Sequence, residues 1–222
     1  MIAKEGRIIL IPLFFITFCI GIYVHFVEDT FFTTIYFFMG FLLLFCLNFF
    51  RDPKRITPMR DNLIISPADG KIVKVVEIKD PDVGDAKLVS IFLNVFNVHV
   101  NRVPINGKVI STKYKPGRFL AAFNHKASDE NEQVVTIISH KTGNYKVKQI
   151  AGLIARRIIC YAKEGLIVHK GGRLGFIRFG SRTDIIMPLN IKLNVKLGEK
   201  VKGGKTIIGE LWQILVKIIP SD

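Results

Sequence analysis

Cysteine is scarce in this chain and poorly placed for cross-linking. Three occur, Cys19 and Cys46 inside apolar runs and Cys160 alone in an apolar stretch, so no disulfide framework is expected and the thiols read as packing groups. Acidic residues are sparse as well: 18 Asp and Glu face 32 Lys and Arg, a formal charge of +14 that favours an anionic partner. Nucleic acid is disfavoured, because the cations are scattered and few aromatics beyond Phe50 are interleaved with them. A Gly-x-Ser-x-Gly elbow is missing, which argues against an ordinary serine hydrolase. No Ala-x-Ala-like site follows the first apolar run, which argues against a cleaved secretory leader. No metal is expected.

What the chain has is phenylalanine, and most of it at one end. Twelve of the 18 lie before Arg51, within two apolar runs of about 8–27 and 31–50. Each matches the roughly 20 residues needed to cross a bilayer as a helix, and two buried helices of a soluble core are the less favoured alternative. Lys4 and Arg7 precede the first run, Glu28 and Asp29 lie between the two, and Arg51, Lys54 and Arg55 follow the second. The positive-inside rule then puts both ends of the hairpin, and the remaining chain, on the cytoplasmic face of the cell membrane. The expected division is a membrane hairpin and linker over 1–55 and a catalytic domain over 56–222. The second part carries 27 Lys and Arg against 14 Asp and Glu, +13 of the total charge, and is drawn to anionic headgroups.

Beyond the two-proline linker 51–58, short β-prone runs alternate with Gly, Pro and Asn. Strands are expected at 71–78, 88–93, 98–100, 108–114, 134–139, 145–150, 175–179, 184–187, 191–195 and 206–214, with a short helix near 152–159. The expected fold is therefore mainly β, a β-sandwich or barrel-sandwich-like domain with few short helices, preceded by the helical hairpin. Two faint repeats support it. Asp69-Gly70-Lys71-Ile72-Val73 is echoed by Asn106-Gly107-Lys108-Val109-Ile110, where Asx-Gly turns lead into strands. Gly165-x-x-Val168-x-x-Gly171-Gly172 is echoed, one residue shorter, by Gly198-x-x-Val201-x-Gly203-Gly204. The latter resembles biotinyl- and lipoyl-carrier hairpins, though no Lys stands in a Met-Lys-Met context.

The candidate chemistry sits at Gly180-Ser181. A serine hydroxyl in a strained turn attacks the carbonyl before it, and glycine there hinders least. The attack converts the amide to an ester and needs a base for the hydroxyl proton and donors for the oxyanion. Loss of the Ser181 α-proton then expels the ester carboxylate by β-elimination, and hydrolysis of the dehydroalanine releases ammonia and leaves a pyruvoyl group at a new N-terminus. His99 is the candidate base, oriented or charge-stabilised by Asp69 in the logic of a Ser-His-Asp assembly. Taken alone, Asp69 is an Asp-Gly turn, His99 a histidine in a strand sharing a face with Asn101, and His125 a loop histidine.

Taken together, the chain resembles the short-form phosphatidylserine decarboxylase proenzymes over essentially its whole length. The matching stretches are Ser66-Pro67-Ala68-Asp69-Gly70-Lys71, the run from Ser90 through Asn97-Val98-His99-Val100-Asn101-Arg102, Pro116-Gly117-Arg118-Phe119, Asn124-His125-Lys126, the run from Gln149 to Ile158, and Ile177-Arg178-Phe179-Gly180-Ser181-Arg182. The resemblance implies self-cleavage between Gly180 and Ser181 into a β chain 1–180 and an α chain 181–222 that stay associated non-covalently. It implies a pyruvoyl cofactor made from Ser181, with no metal or external cofactor, that forms a Schiff base with the phosphatidylserine amine and yields phosphatidylethanolamine and carbon dioxide. Asp69 and His99 would serve maturation or catalysis and His125 the substrate. Arg178 and Arg182, flanking the cut, are candidate phosphate or carboxylate contacts, with a solvated face as the alternative reading. Two departures stand out. Longer members have His-x-x-His where this chain places Arg102, and Leu-Gly-Ser-Thr where it has Phe-Gly-Ser-Arg. Homo-oligomerisation is left open, as are a related serine phospholipid such as archaetidylserine as substrate and a non-enzymatic membrane adaptor.

Overall fold

A long apolar run without charge satisfies its own backbone only as a helix, and the N-terminal segment does so twice. The computed structural model describes residues 1–118, 130–152, 157–178 and 181–211. After a short 3-10 turn, α1 (Arg7–Phe26) and α2 (Thr30–Phe49) follow each other. Asp29 caps α2, its side chain accepting the Phe32 amide at 3.0 Å. Both helices are long and apolar enough to cross a membrane, and Phe15, Phe18, Phe37 and Phe41 point outward from them.

The rest is mainly β, as the turn-punctuated sequence implies. The strands are β1 (Leu63–Ile65), β2 (Gly70–Asp80), β3 (Gly84–Leu93), β4 (Val100–Arg102), β5 (Gly107–Lys115), β6 (Gln133–His140), β7 (Gly143–Ala151), β8 (Ile158–Cys160), β9 (Ile167–Val168), β10 (Arg173–Ile177), β11 (Ser181–Pro188), β12 (Ile191–Leu193), β13 (Lys200–Val201) and β14 (Ile207–Leu211). An eight-stranded sheet in the order β13-β2-β3-β11-β7-β6-β5-β9 curls into a half-barrel. Two three-stranded sheets, β1-β14-β12 and β4-β10-β8, accompany it. The main core lies among Ile72, Val89, Ile91, Val109, Ile138, Val147, Ile185 and their neighbours. The strand expected at 98–100 begins only at Val100, and the short β1, β8, β9 and β13 were not expected. Of the helix expected near 152–159, residues 153–156 lie outside the described residues, and 158–159 belong to β8.

The two repeats are one structural repeat used at both edges of the large sheet. At one edge β13 pairs with the start of β2, Gly70 opposite Val201 and Lys71 opposite Lys200. At the other, β9 pairs with the start of β5, Gly107 opposite Val168 and Lys108 opposite Ile167. Asp69 Oδ1 accepts the Gly203 amide and Asn106 Oδ1 accepts the Lys170 amide, both at 2.8 Å. Gly198 donates to the Ile72 carbonyl and Gly165 to that of Val109, again matched at 2.8 Å. An Asx side chain ahead of a glycine thus ties each Gly-rich turn to the start of a strand. Gly70 has φ 156°, and a Cβ there would lie 2.1 Å from the Phe92 carbonyl oxygen, so the turn requires glycine.

The hairpin is fastened to the β domain by packing and by charge. Ala3, Leu10, Leu13, Cys46, Phe49 and Phe50 share one apolar cluster with Val98, Val100 and Phe176. Around it Arg102 pairs with Asp52, and Arg173 reaches Glu5 at 3.0 Å and Asp52 at 3.4 Å.

Farther away, buried Lys146 lies 2.5 and 2.6 Å from the two oxygens of buried Asp80 and 2.6 Å from Asp82. Burial alone would raise the Asp80 pKa, but the Lys146 bond and charge and the Asp82 and Val83 amides together hold it below 3.8. Its contribution to stability is therefore present above that value and lost as pH falls below it. Lys146→Ala strands the carboxylate and should cost about 3 kcal/mol. Thermal unfolding in detergent should show a midpoint lower by several degrees, with the gap to the parent chain narrowing below about pH 4.

Candidate active site

Ser181 is the first residue of β11, the strand with β3 on one side and β7 on the other; it stands opposite Leu93 and Ala151. It is fully buried and its Oγ has no hydrogen-bond partner among the described residues. A buried hydroxyl without a partner is costly to keep and marks a group held for another purpose. Gly180 and Phe179 lie outside the described residues, as does His125.

His99 immediately precedes β4 and is fully buried. Its ring lies 4.2 Å from that of Phe49, the last residue of α2, and 6.4 Å from that of Phe176 in β10. Nδ1 is 2.9 Å from the Asn97 carbonyl oxygen, which only accepts, so Nδ1 carries the proton and Nε2 the free lone pair. Nε2 is buried and has no hydrogen-bond partner among the described residues. Burial pushes the pKa down to about 4; the Asn97 bond opposes this, and the nearby charge of Arg51 adds to it. His99 is thus a neutral imidazole with one unoccupied basic nitrogen.

Two links draw His99 and Ser181 to the same end of the molecule. The His99 carbonyl accepts the Ile177 amide at 3.2 Å, Ile177 packs with Ala151, and Ala151 pairs with Ser181. In the second link Asn101, two residues beyond His99, donates to the Thr183 hydroxyl at 3.1 Å, two residues beyond Ser181.

Asn101 belongs to a polar cluster that the sequence did not single out as functional. Gln149 Nε2 donates to Asn101 Oδ1 at 2.7 Å, and Gln149 Oε1 is buried without a partner among the described residues. Asn101, Gln149 and Thr183 are all fully buried. Gly175 leaves room for them: a Cβ there would lie 2.6 Å from the Gln149 amide nitrogen and 2.2 Å from the Ile159 carbonyl oxygen. The available signal was polarity in the buried register of a strand, since Gln149 alternates with Tyr145, Val147 and Ala151.

Asp69 does not bind His99. Its two oxygens are held by the Arg55 guanidinium, one bond at 2.8 Å, and by the Gly203 amide at 2.8 Å. Its charge is felt at Arg102, where burial works against the guanidinium charge and Asp52 and Asp69 work for it. Arg182 is not positioned as a substrate contact either. Strand alternation turns it to the face opposite Ser181, where it is buried and bound to Asp184 at 2.7 Å and to Ser90 at 2.6 Å. Arg178 differs: its Nε is buried without a hydrogen-bond partner among the described residues. No group of three or more His, Cys, Asp and Glu suited to a metal ion occurs among the described residues.

Residues 42–209 match the model of the family described as phosphatidylserine decarboxylase. The chain is 48% identical over 172 residues to the phosphatidylserine decarboxylase proenzyme of Ralstonia pickettii (strain 12J), covering 77% of this chain and 80% of that one. It is 45% identical over 214 residues to the proenzyme of the same name from Ehrlichia ruminantium (strain Gardel), covering 95% and 91%.

Phe49 is the aromatic cover of His99, so Phe49→Ala should admit water to the ring. The His99 titration midpoint, followed by NMR of ring-labelled histidine, should rise from about 4 toward the ordinary 6.5. An unchanged midpoint would show that the burial comes from elsewhere.

Proposed function

The chain belongs to the phosphatidylserine decarboxylase family, and we propose that it makes the cofactor for that reaction from Ser181 of its own backbone. It is a carboxy-lyase that converts phosphatidylserine to phosphatidylethanolamine and carbon dioxide, and it is made as a proenzyme. One observation carries the proposal: a buried serine hydroxyl at the start of a central strand, at the same end as a neutral histidine, with neither that hydroxyl nor the histidine Nε2 bonded to a described residue.

In this reading His99 Nε2 takes the Ser181 hydroxyl proton as Oγ attacks the Gly180 carbonyl. Burial suits the task, because the imidazole stays unprotonated at neutral pH. Elimination of the resulting ester and hydrolysis leave a pyruvoyl group at residue 181. The orphaned Ser181 Oγ fits such a role, since it departs with the Gly180 carboxylate and breaks no hydrogen bond to the described residues in leaving. The pyruvoyl carbonyl supplies the electron sink for decarboxylation once it is formed. Arg178, with a free donor, is the candidate contact for the substrate's carboxylate or phosphate. His125 remains a candidate near the substrate. Asp69 acts at one remove, fixing the linker through Arg55 and balancing charge at Arg102.

The strand order supports continued association after the cut. The small chain would begin with β11, already hydrogen-bonded to β3 and β7 of the large chain, and would add β13 and β14 to β2 and β1. One covalent bond is lost and every one of these ladders remains. The hairpin keeps this site at the bilayer, with both of its ends cytoplasmic by the charge of its flanks.

Intact mass of the purified 25.1 kDa chain should show two fragments divided after Gly180. The smaller should be blocked to Edman chemistry and reactive toward carbonyl reagents, and the two should separate only in denaturant. Ser181→Ala should stay whole and inactive; a Ser181→Ala chain that still divides would overturn the reading. His99→Ala should slow division by about 100-fold or more, the low end of what a positioned base contributes.

A further inference from the structure

Where the chain leaves α2, the linker and the Gly203-Gly204 turn enclose a cavity of about 460 Å³. Arg51, Lys54, Arg55, Asp69, Lys202 and Lys205 line it. Asp69 cancels Arg55. The Arg51 guanidinium binds only neutral acceptors, the Asn48 carbonyl and side chain at 2.7 Å and the Phe96 carbonyl. Lys54, Lys202 and Lys205 are exposed and form no ion pair with any described residue. Four cations from two segments distant in sequence therefore converge on one concavity without a counter-charge.

Depth identifies what would supply that charge. A helix of 20 residues rises about 30 Å, the thickness of the hydrocarbon core, so a chain emerging from α2 at Arg51 enters the headgroup layer. Scattered surface lysines are drawn to a bilayer collectively, but a walled site selects a single headgroup. We propose that this cavity seats the phosphate of an anionic phospholipid in the leaflet next to the catalytic domain. Val98, adjacent to His99, forms part of its wall, which places a seated lipid beside the candidate base. The proposal rests on the reading of the hairpin as membrane-spanning and is independent of the cut at Ser181.

Binding is measured on the full chain carrying Ser181→Ala, in neutral detergent, with fluorescent phosphatidylglycerol, phosphatidylserine and phosphatidylcholine and with inorganic phosphate as competitor. The two anionic lipids should bind at least about tenfold more tightly than phosphatidylcholine. The triple change Lys54→Gln, Lys202→Gln, Lys205→Gln should remove that preference. A control of equal charge, Lys141→Gln, Lys163→Gln, Lys192→Gln, changes three exposed lysines outside the cavity and should leave it intact. Equal binding of both anionic lipids makes the seat general, and preference for phosphatidylserine makes it the substrate's own; both uphold it. Displacement by inorganic phosphate as effective as by lipid would reduce it to a free-phosphate site and overturn the lipid assignment. Equal losses in both triple variants, or in neither, would overturn the seat itself. A Ser181→Ala chain that divided would sink the cleavage reading without touching this one.

Discussion

The ladder that starts at Ser181 constrains both the order of events and the product. β3 and β7, which flank β11, precede it in the chain, so β11 enters a gap that is complete only once residues on both sides have folded. A hydroxyl at the mouth of that gap reaches its final surroundings only in the folded molecule. The proposed cleavage at this point would therefore wait for folding, because the same hydrogen bonds that seat the strand bring Ser181 to the end of the molecule that holds His99. The ladder would also make such a cut harmless to the fold: a central strand has partners on both edges and does not need its N-terminal covalent bond to stay in place.

The two apolar N-terminal helices also pack against the β domain. Phe49 and Phe50 end α2 inside the apolar cluster that carries Val98, Val100 and Phe176, and Phe49 lies against the imidazole of His99. The desolvation that keeps His99 neutral is thus supplied in part by the last residue of the apolar helix α2. Ion pairs of Arg102 and Arg173 with Asp52 and Glu5 fix the same junction from the outside. Such partly buried pairs add modest stability but impose geometry, here the position of the helix end relative to His99.

What was legible in the sequence was what periodicity and composition encode. The apolar runs gave α1 and α2, and Asx-Gly and Gly-Gly pairs marked the turns, because helix length and left-handed turns leave local traces. Partner choice leaves none. The motifs offer Asp69 as a partner for His99, yet Asp69 binds Arg55, a linker residue whose path no local pattern specifies. Arg182 looked available because it flanks the cut, but strand alternation sends it to the opposite face from Ser181, where Asp184 binds it. Gln149 and Asn101 were visible as polar residues in buried strands, while their joint bond required the meeting of β4 and β7, which only the folded topology supplies.

The internal repeat isolates what is specific to Asp69. Asn106 holds the Lys170 amide with the same geometry by which Asp69 holds that of Gly203, so the architectural task needs an acceptor oxygen and not a charge. The carboxylate at 69 therefore has a second use, and its partner shows which. By taking the Arg55 guanidinium it anchors the linker at the turn carrying Lys202 and Lys205 and removes one cation from the group gathered there. The carboxylate that lines the same cavity is thereby engaged, and the remaining cations there form no ion pair with a described residue. A neutral residue at 69 would leave Arg55 without its counter-charge, so the charge distinguishes two otherwise equivalent edges of the sheet: one turn tied by a neutral side chain, the other also tied to the linker by an ion pair.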